Sequence, residues 1–354
     1  MESIRLHIKD FISLATDSLS LDVRSPSEYK HAHIPGAINL PLFSDEERKR
    51  VGTAYKQVSR EVAIKIGLDF FGPKMRNMVE EVEKLITQET KCSQVKEVKL
   101  FIYCWRGGMR SAAVAWLLQL YGFDVTILAN GYKAFRNYVL DSFKYNFSFK
   151  VVGGFTGSGK TEVIKELIRR GKPVIDLEEL ACHKGSAFGS LNMPSQPTQE
   201  MFENKLATLL FPFMQPDVWE VWVEDESQRI GDINIPMELW TQMRSAPVYF
   251  LDIAFEKRLQ HIVEEYGSQD SFKLLNSIER ISRRLGGLNT KKAIEYLHDG
   301  NLTECFAILL KYYDKYYLRG LHNRDNLTTL LQTIPCEGVN SGNLEYLISK
   351  HSTV

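Results

Sequence analysis

The sequence predicts a two-domain α/β protein in which each domain is built on a parallel sheet covered by helices. The pattern of an apolar strand, a Gly-rich loop and a helix occurs twice, around residues 100–120 and around residues 149–170. This order of elements is typical of parallel α/β sheets. The length of 354 residues exceeds what one hydrophobic core usually serves. We therefore expect one domain over residues 1–140 and a second, ending in helices, over residues 148–354.

The composition is that of an ordinary folded protein, with 44% hydrophobic and 25% charged residues. The formal net charge is zero, so a polyanionic partner would need a local basic patch. The five cysteines are scattered and form no CxxC pair. This pattern argues against a disulfide framework and a thiolate metal site, and it predicts a reducing cytoplasmic location. No apolar run is long enough to span a bilayer, so we expect no membrane partner.

The segment LFIYCWRGGMRS at residues 100–111 predicts a reactive cysteine. Cys104 stands between a strand and a helix, where backbone N–H groups and the helix dipole favour the nucleophilic thiolate. The glycines let the loop turn its amides toward an anion, and the arginines add positive charge. The expected anion-binding loop comprises Arg106, Gly107, Gly108 and Arg110. The alternative, a buried cysteine that merely ends a core strand, does not account for this combination.

Residues 21–41, LDVRSPSEYKHAHIPGAINLP, followed by the cysteine loop, resemble a rhodanese domain, a parallel α/β sulfurtransferase fold. The resemblance implies that the loop cysteine accepts sulfur as a persulfide. Five residues separate Cys104 from Arg110. This spacing is one residue longer than is usual in sulfurtransferases, is shared with dual-specificity phosphatases, and would hold a larger anion.

A mostly helical insertion at about residues 43–98 is a second departure from an ordinary rhodanese. It carries several basic residues and a tyrosine, which suits contact with a phosphate backbone. We expect RNA contacts from Arg48, Arg50 and Lys56. A solvated helix face is the alternative for such a charge run.

The segment GFTGSGKT at residues 154–161 matches G-x-x-x-x-G-K-[ST] between a strand and a helix. Loops of this kind cradle a diphosphate with backbone N–H groups, a lysine charge and a hydroxyl that can ligate Mg²⁺. The predicted phosphate-binding residues are Gly154, Thr156, Gly157, Ser158, Gly159, Lys160 and Thr161. Candidate contacts to Mg²⁺ or substrate are Asp176, Glu224, Asp225, Arg229, Arg283 and Arg284. A plain acidic strand end is the alternative for Glu224 and Asp225, and exposed helix arginines are the alternative for Arg229, Arg283 and Arg284.

Five motifs together resemble the tRNA 2-selenouridine synthase family over nearly the whole chain. They are RxxxGxxYK at residues 48–56, YCWRGGMRS, GGFTGSGKTE, DLEELACHKGSAFG and VEDESQRIG. The resemblance implies a transferase that replaces the 2-thio sulfur of a wobble 2-thiouridine in tRNA by selenium from selenophosphate. It also implies a geranylated intermediate made from geranyl diphosphate. Selenophosphate synthase would be a partner, and no tightly bound cofactor is implied.

Several questions stay open at this stage. The cysteine could take selenium as a perselenide, and the phosphate loop could serve geranyl diphosphate or ATP. A sulfurtransferase fused to an ATP-dependent small-molecule kinase would not need tRNA. A phosphatase would release phosphate from a phosphoester, although the loop offers no general acid. A regulatory nucleotide-binding module would leave Cys104 dispensable.

Overall fold

The computed structural model describes residues 4–15, 18–89, 98–214, 220–340, 342–343 and 345. The chain forms two compact units. The first comprises Met1–Ser142 and Glu203–Thr208, and the second comprises Phe143–Phe202 and Leu209–Val354. Within the described ranges, no helix combines the length and the apolar character needed to cross a membrane.

The first unit is built on a five-stranded parallel sheet. Its strands are β1 (Ile4–Leu6), β2 (Leu19–Asp22), β3 (Ile38–Asn39), β4 (Lys99–Tyr103) and β5 (Asp124–Leu128). The strand order is β1-β5-β4-β2-β3, and every pair is parallel. The central strand β4 is an apolar run because both of its faces are covered. Cys104 therefore lies at the carboxyl edge of the middle of this sheet.

In the described part of this unit, seven α-helices accompany the sheet. They are α1 (Ile8–Ala15), α2 (Pro26–His31), α3 (Asp45–Gln57), α4 (Arg60–Phe71), α5 (Met75–Glu89), α6 (Met109–Tyr121) and α7 (Gly131–Ser142). The helices α3, α4 and α5 make up the insertion, of which residues 90–97 lie outside the described residues. Ser44 and Glu47 form the capping box that begins α3. Phe71 and Val82 of the insertion belong to the same buried cluster as Ile102 of β4, so the insertion is part of the core.

The second unit has its own five-stranded parallel sheet. Its strands are β6 (Ser148–Gly154), β7 (Val174–Ile175), β8 (Glu220–Glu224), β11 (Val248–Asp252) and β12 (Leu331–Pro335), and the hairpin strands β9 (Arg229–Ile230) and β10 (Ile233–Asn234) form a separate antiparallel pair. The sheet order is β12-β11-β6-β8-β7, with all pairs parallel. The phosphate loop follows the central strand β6, which is where parallel sheets place their ligands.

The helices that follow along the chain complete the fold. They are α8 (Lys160–Arg169), α9 (Leu177–Ala181), α10 (Gln199–Leu210), α11 (Met237–Arg244), α12 (Phe255–Tyr266), α13 (Ser271–Leu285), α14 (Gly287–His298), α15 (Leu302–His322) and α16 (Leu327–Leu330). Apolar residues of α12 to α15 share a buried cluster that includes Ile278, Phe306 and Leu309. This helical layer supplies one wall of the cavity beside the phosphate loop.

Candidate active sites

The cysteine loop of the first unit is held in one conformation by its glycine. Cys104 is 3% exposed. Gly107 has a φ of 61°, and a Cβ added there would lie 2.5 Å from the carbonyl oxygen of Leu128. Only glycine fits this position without strain. The N–H of Tyr132 donates to the carbonyl oxygen of Cys104 at 2.8 Å, which ties the loop to the start of α7.

The backbone amides of the cysteine loop form a row of free donors. Among the described residues, none accepts a hydrogen bond from the backbone N–H groups of residues 105–110. Helix α6 begins at Met109, so its positive end adjoins the same amides. A row of amide donors next to a thiol is an arrangement that binds a tetrahedral oxyanion.

A hydroxyl lies against the sulfur of Cys104. Its Sγ is 3.3 Å from Oγ of Ser111, which also lies 3.1 Å from the carbonyl oxygen of Gly108. Ser111 is fully buried in the first turn of α6. The Ser111 hydroxyl donates its proton to the carbonyl oxygen of Gly108, and by turning that proton toward Sγ it can instead stabilise the charge of a thiolate. The motif YCWRGGMRS contains Ser111, but sequence reasoning gave it no role.

A glutamate that sequence reasoning did not assign to the site neutralises Arg110. The Arg110 guanidinium donates to Oε2 of Glu28 at 2.8 Å, and the Arg48 guanidinium lies 3.5 Å from Oε1 of the same carboxylate. Burial of Glu28 opposes its ionisation. The hydrogen bond from Arg110 and the charges of both arginines outweigh that effect and lower the pKa of Glu28. The remaining loop residues, Arg106 and Gly108, are exposed.

The three basic residues expected to contact RNA lie on α3, but they do not share one face. Lys56 lies eight positions after Arg48, which is a rotation of roughly 80° around a helix, whereas Arg50 is roughly 200° from Arg48. The Arg50 guanidinium lies 5.1 Å from the ring centre of Phe70 on α4. Arg48 is half exposed and Lys56 is exposed.

The phosphate loop of the second unit also presents free amides. The backbone N–H groups of residues 156, 157, 159, 160 and 161 donate to no acceptor within the described part of the chain. Gly157 has a φ of 76°, and a Cβ there would lie 2.8 Å from Ile262. The Lys160 ammonium donates to the carbonyl oxygen of Gly154 at 3.1 Å. The loop thus has the free donors and the lysine charge that a diphosphate requires.

Side chains from distant parts of the chain fix the phosphate loop from behind. The Arg258 guanidinium donates to the carbonyl oxygen of Thr156 at 3.1 Å and pairs with both carboxylate oxygens of Asp314 at 2.9 and 2.8 Å. Ser158 Oγ is buried and has no hydrogen-bond partner among the described residues. The sequence motif identifies the loop but does not reveal these supports.

A hydrogen-bond chain holds the first glycine of the loop. The N–H of Gly154 donates to the Tyr317 hydroxyl at 3.1 Å, and that hydroxyl donates to Oδ2 of Asp225 at 2.7 Å. The Arg324 guanidinium pairs with the other oxygen of Asp225. Burial and the charge of Asp225 raise the pKa of Tyr317 well above its usual value, so its hydroxyl keeps its proton.

Three carboxylates meet beside the phosphate loop. Oxygen atoms of Glu178, Glu224 and Glu226 lie within 4.8 Å of one another. Glu224 is fully buried, and neither of its oxygens has a hydrogen-bond partner among the described residues. Burial first, and then the charges of Glu178 and Asp176, raise the pKa of Glu224 well above its usual value. Burial likewise raises the pKa values of Glu178 and Glu226, which face the same carboxylates.

The cluster of three glutamates, Glu178, Glu224 and Glu226, is not the set of acidic residues expected from the sequence. Glu224 belongs to it, whereas Asp225 bonds to Tyr317 and Arg324, and Asp176 accepts from the N–H of Glu179 to cap α9. The register of the neighbouring strands was an available signal. Ile175 of β7 lies beside Val223 of β8, so acidic residues just after both strands are brought together.

A cavity of about 800 Å³ opens onto the phosphate loop and has an apolar side. The loop residues 156–161, Glu178 and Glu226 line its polar part. Apolar and aromatic residues line the rest, and they include Ile262, Phe188, Leu309, Leu310, Tyr312, Tyr313 and Tyr316. The cavity therefore suits a ligand that joins a charged phosphate end to a hydrocarbon body.

The candidate arginines of the second unit are distributed differently from one another. Arg284 lines the cavity. Its neighbour Arg283 is exposed in the last turn of α13 and is not among the cavity residues. Arg229 is exposed on β9 and pairs with Asp232 at 3.0 Å. The structure thus brings only Arg284 of these three to the phosphate loop's cavity.

Comparison with known proteins agrees with both halves of the fold. Residues 9–138 match the model of the rhodanese-like domain, and residues 147–333 match the model of the tRNA 2-selenouridine synthase AAA domain. These matches confirm the predicted rhodanese-like α/β domain followed by a P-loop α/β domain with a helical end.

Relatives that match most of this chain are tRNA 2-selenouridine synthases. The tRNA 2-selenouridine synthase of Pseudomonas syringae pv. syringae (strain B728a) is 35% identical over 300 residues, covering 75% of each chain. That of Nitrosomonas eutropha is 31% identical over 94% of each chain. That of Bdellovibrio bacteriovorus is 34% identical over 86% of this chain and 89% of its own. This chain, with its cysteine loop and its phosphate loop, belongs to the tRNA 2-selenouridine synthase family.

Proposed function

We propose that this chain is a transferase that converts wobble 2-thiouridine in tRNA into 2-selenouridine. Selenophosphate would donate the selenium, and geranyl diphosphate would supply a geranyl group for an S-geranylated intermediate. The names of its relatives support the overall conversion. The observation that carries the geranyl step is the cavity of the second unit, where a phosphate loop and apolar side chains line one space.

The geranyl step is a substitution at carbon. The thiocarbonyl sulfur of the uridine attacks C1 of geranyl diphosphate, the S–C bond forms, and the C1–O bond breaks with its electron pair going to the departing diphosphate. The uridine gives up its N3 proton to solvent, so the S-geranylated base is neutral. The free amides of residues 156, 157, 159, 160 and 161 and the Lys160 ammonium would stabilise that leaving charge. The geranyl chain would lie against Leu309, Leu310 and Phe188. A nucleotide would make poorer use of this wall, because its sugar and base carry polar groups that need partners.

The cluster of three glutamates fits Mg²⁺, an ion that commonly accompanies the phosphate ligands of such loops. The donors are all oxygens, as Mg²⁺ prefers, and both oxygens of the buried Glu224 lack any other partner among the described residues. Glu178, Glu224 and Glu226 would hold the ion, with Thr161 close by, since its Oγ1 lies 3.4 Å from Oε2 of Glu178. When bound, Mg²⁺ neutralises diphosphate charge and improves the leaving group.

The cysteine loop of the first unit would bind selenophosphate. Selenophosphate is a tetrahedral oxyanion, and the six consecutive amides of residues 105–110 suit such a group. Selenium then attacks C2 of the S-geranylated uridine, the C–Se bond forms, and geranylthiolate leaves with the electron pair of the C–S bond. The P–Se bond of the donor also breaks, and its phosphoryl group ends on water as inorganic phosphate. Geranylation thus turns the sulfur from a poor leaving group into a better one.

The polyanionic substrate requires a basic surface on a chain with no net charge. We propose that Arg48 and Lys56 of α3 contribute to it, with Arg50 on a different face of that helix. A tRNA substrate also implies action in the cytoplasm. Selenophosphate is supplied by a selenophosphate synthase, which we propose as the metabolic partner.

The test of the geranyl step is the substitution Lys160→Ala, with Lys172→Ala as the matched control. Lys172 is an exposed lysine that does not line the cavity. Loss of a charge-assisted hydrogen bond costs about 1.5–3 kcal/mol, so geranylation at limiting donor should fall roughly tenfold or more in Lys160→Ala alone. Geranylated nucleosides are measured by mass spectrometry of digested tRNA. Unchanged geranylation together with lost ATP binding would favour the sulfurtransferase–kinase alternative.

A further inference from the structure

We infer that Cys104 attacks phosphorus rather than selenium, and that the first unit cleaves a P–Se bond through an S-phosphocysteine intermediate. This inference rests on the proposed function, because it names the atom of the selenium donor on which the cysteine acts. It differs from the persulfide chemistry that a rhodanese resemblance implies. Three features of the cysteine loop support it: the electron balance of the reaction, the set of oxyanion donors, and the position of Ser111.

Attack of the thiolate at phosphorus and attack at selenium differ in the oxidation states that they require. If the thiolate attacks phosphorus, an S–P bond forms and the P–Se bond breaks with its electron pair going to selenium. Neither element changes oxidation state, and selenium leaves as the nucleophile that the substitution at C2 requires. If the thiolate attacks selenium instead, phosphorus must leave as phosphite, and the perselenide must be reduced before its selenium can act as selenide. Attack at phosphorus needs no reductant, and we therefore favour it.

The donors of the loop suit a phosphoryl group in transfer. Six consecutive backbone N–H groups, at residues 105–110, are free of acceptors among the described residues. Arg110 follows the nucleophile after five intervening residues, which is the spacing shared with cysteine-dependent phosphatases. Charge on the three terminal oxygens of a phosphoryl group is spread around phosphorus, so donors arranged along a curved loop can contact all three. A guanidinium can contact two of these oxygens at once.

Ser111 is placed to serve the second half of the reaction. Its Oγ lies 3.3 Å from Sγ of Cys104. Water attacks phosphorus, an O–P bond forms, and the S–P bond breaks with its electron pair returning to sulfur. The products are inorganic phosphate and the Cys104 thiolate, and the Ser111 hydroxyl can turn its proton from the carbonyl oxygen of Gly108 to that thiolate as its charge develops. Ser111 is a positioning residue in this scheme, because it acts through the sulfur and not on the substrate.

The experiment uses selenophosphate carrying radiolabelled phosphorus and the full-length chain. A phosphoryl group and one selenium atom add nearly the same mass, so the adduct is identified by the retained label and by the selenium isotope pattern. The wild type should retain label at Cys104, and Ser111→Ala should retain roughly tenfold more, because a lost hydrogen bond to the leaving thiolate slows hydrolysis. Cys104→Ser should retain none. Ser142→Ala is the matched control, since Ser142 is also buried and its Oγ bonds to the carbonyl oxygen of Val139 at 2.6 Å.

The outcomes show whether the P–Se bond is cleaved in free selenophosphate or after selenium has bonded to C2. They also decide whether the inference stands. Label on the protein with selenophosphate alone supports cleavage of the free donor. Label that appears only after geranylated tRNA is added supports cleavage after selenium has joined C2. Selenium on Cys104 without label overturns the inference, as does tRNA selenation with no label on either the wild type or Ser111→Ala. Label on the protein with no selenation of any tRNA would instead refute the proposed function and leave the phosphoryl step standing.

Discussion

The Tyr317 hydroxyl links the phosphate loop to the helical layer, and we expect Tyr317→Phe to destabilise the second unit. The substitution keeps the ring, whose centre lies 5.7 Å from that of Phe155 and 6.0 Å from that of Phe250. It removes a donor 2.7 Å from Asp225 and an acceptor 3.1 Å from the N–H of Gly154. A hydrogen bond to a charged group contributes about 1.5–3 kcal/mol, and an unpaired buried N–H costs about 1–3 kcal/mol.

The two losses add to about 2.5–6 kcal/mol, and we expect a value at the lower end of that range for Tyr317→Phe, since Asp225 keeps its pair with Arg324. Hydrogen exchange of peptides from β6 and α15 measures this loss within the second unit, even if the two units unfold separately. Tyr316→Phe is the matched control. Tyr316 is the next residue, it is 38% exposed, and its hydroxyl has no hydrogen bond to the described residues. A difference between the two variants below about 0.5 kcal/mol would refute this account of the loop.

Three further predictions concern charge. Because the pKa of Glu28 is lowered from 4.5, its ionised form contributes stability above about pH 4.5 that is lost as the pH falls through the folded-state pKa. Glu28→Gln should therefore remove about 1 kcal/mol at neutral pH and flatten the acid limb of stability. Arg48→Ala with Lys56→Ala should flatten the log–log salt dependence of tRNA affinity by up to about 2 units, and adding Arg50→Ala tests for a third. Glu224→Gln should leave the metal-free protein at least as stable as the wild type, because it removes a buried acid that faces Glu178 and Asp176. It should also reduce the stabilisation by Mg²⁺, which is about 2.7 kcal/mol for a wild type at a hundredfold excess over Kd. A variant that is less stable in a chelator, or an unchanged Mg²⁺ increment, would contradict the metal assignment.

The loops of both candidate sites are the part of the structure that the sequence predicts best. Their chemistry is local, because a short glycine-rich stretch between a strand and a helix fixes both the turn and the free amides. Gly107 and Gly157 adopt the positive φ values that such turns require.

The partners of the loop residues could not be read from the sequence in the same way. Glu28 and Arg110 are 82 positions apart, and Gly154 and Tyr317 are 163 apart. Such pairs depend on how several elements fold together, and no local pattern encodes them. Glu178 could have been predicted as a site residue, because the strand before it pairs in parallel with the strand that ends at Glu224. The separation of Arg50 from Arg48 on the helix also follows from helical periodicity alone.

Glu28 is the shared counter-ion of Arg110 and Arg48. Because the two arginines share it, an anion that binds one arginine weakens the binding of an anion to the other. A nucleic-acid phosphate that engages Arg48 leaves the Glu28 charge less compensated, so Glu28 holds Arg110 more firmly. An oxyanion entering the cysteine loop must then compete harder for that guanidinium. Linkage is reciprocal, so oxyanion binding weakens RNA binding at Arg48 by the same factor. We therefore expect each ligand to raise the Kd of the other by one common factor, and Glu28→Gln should abolish this mutual weakening.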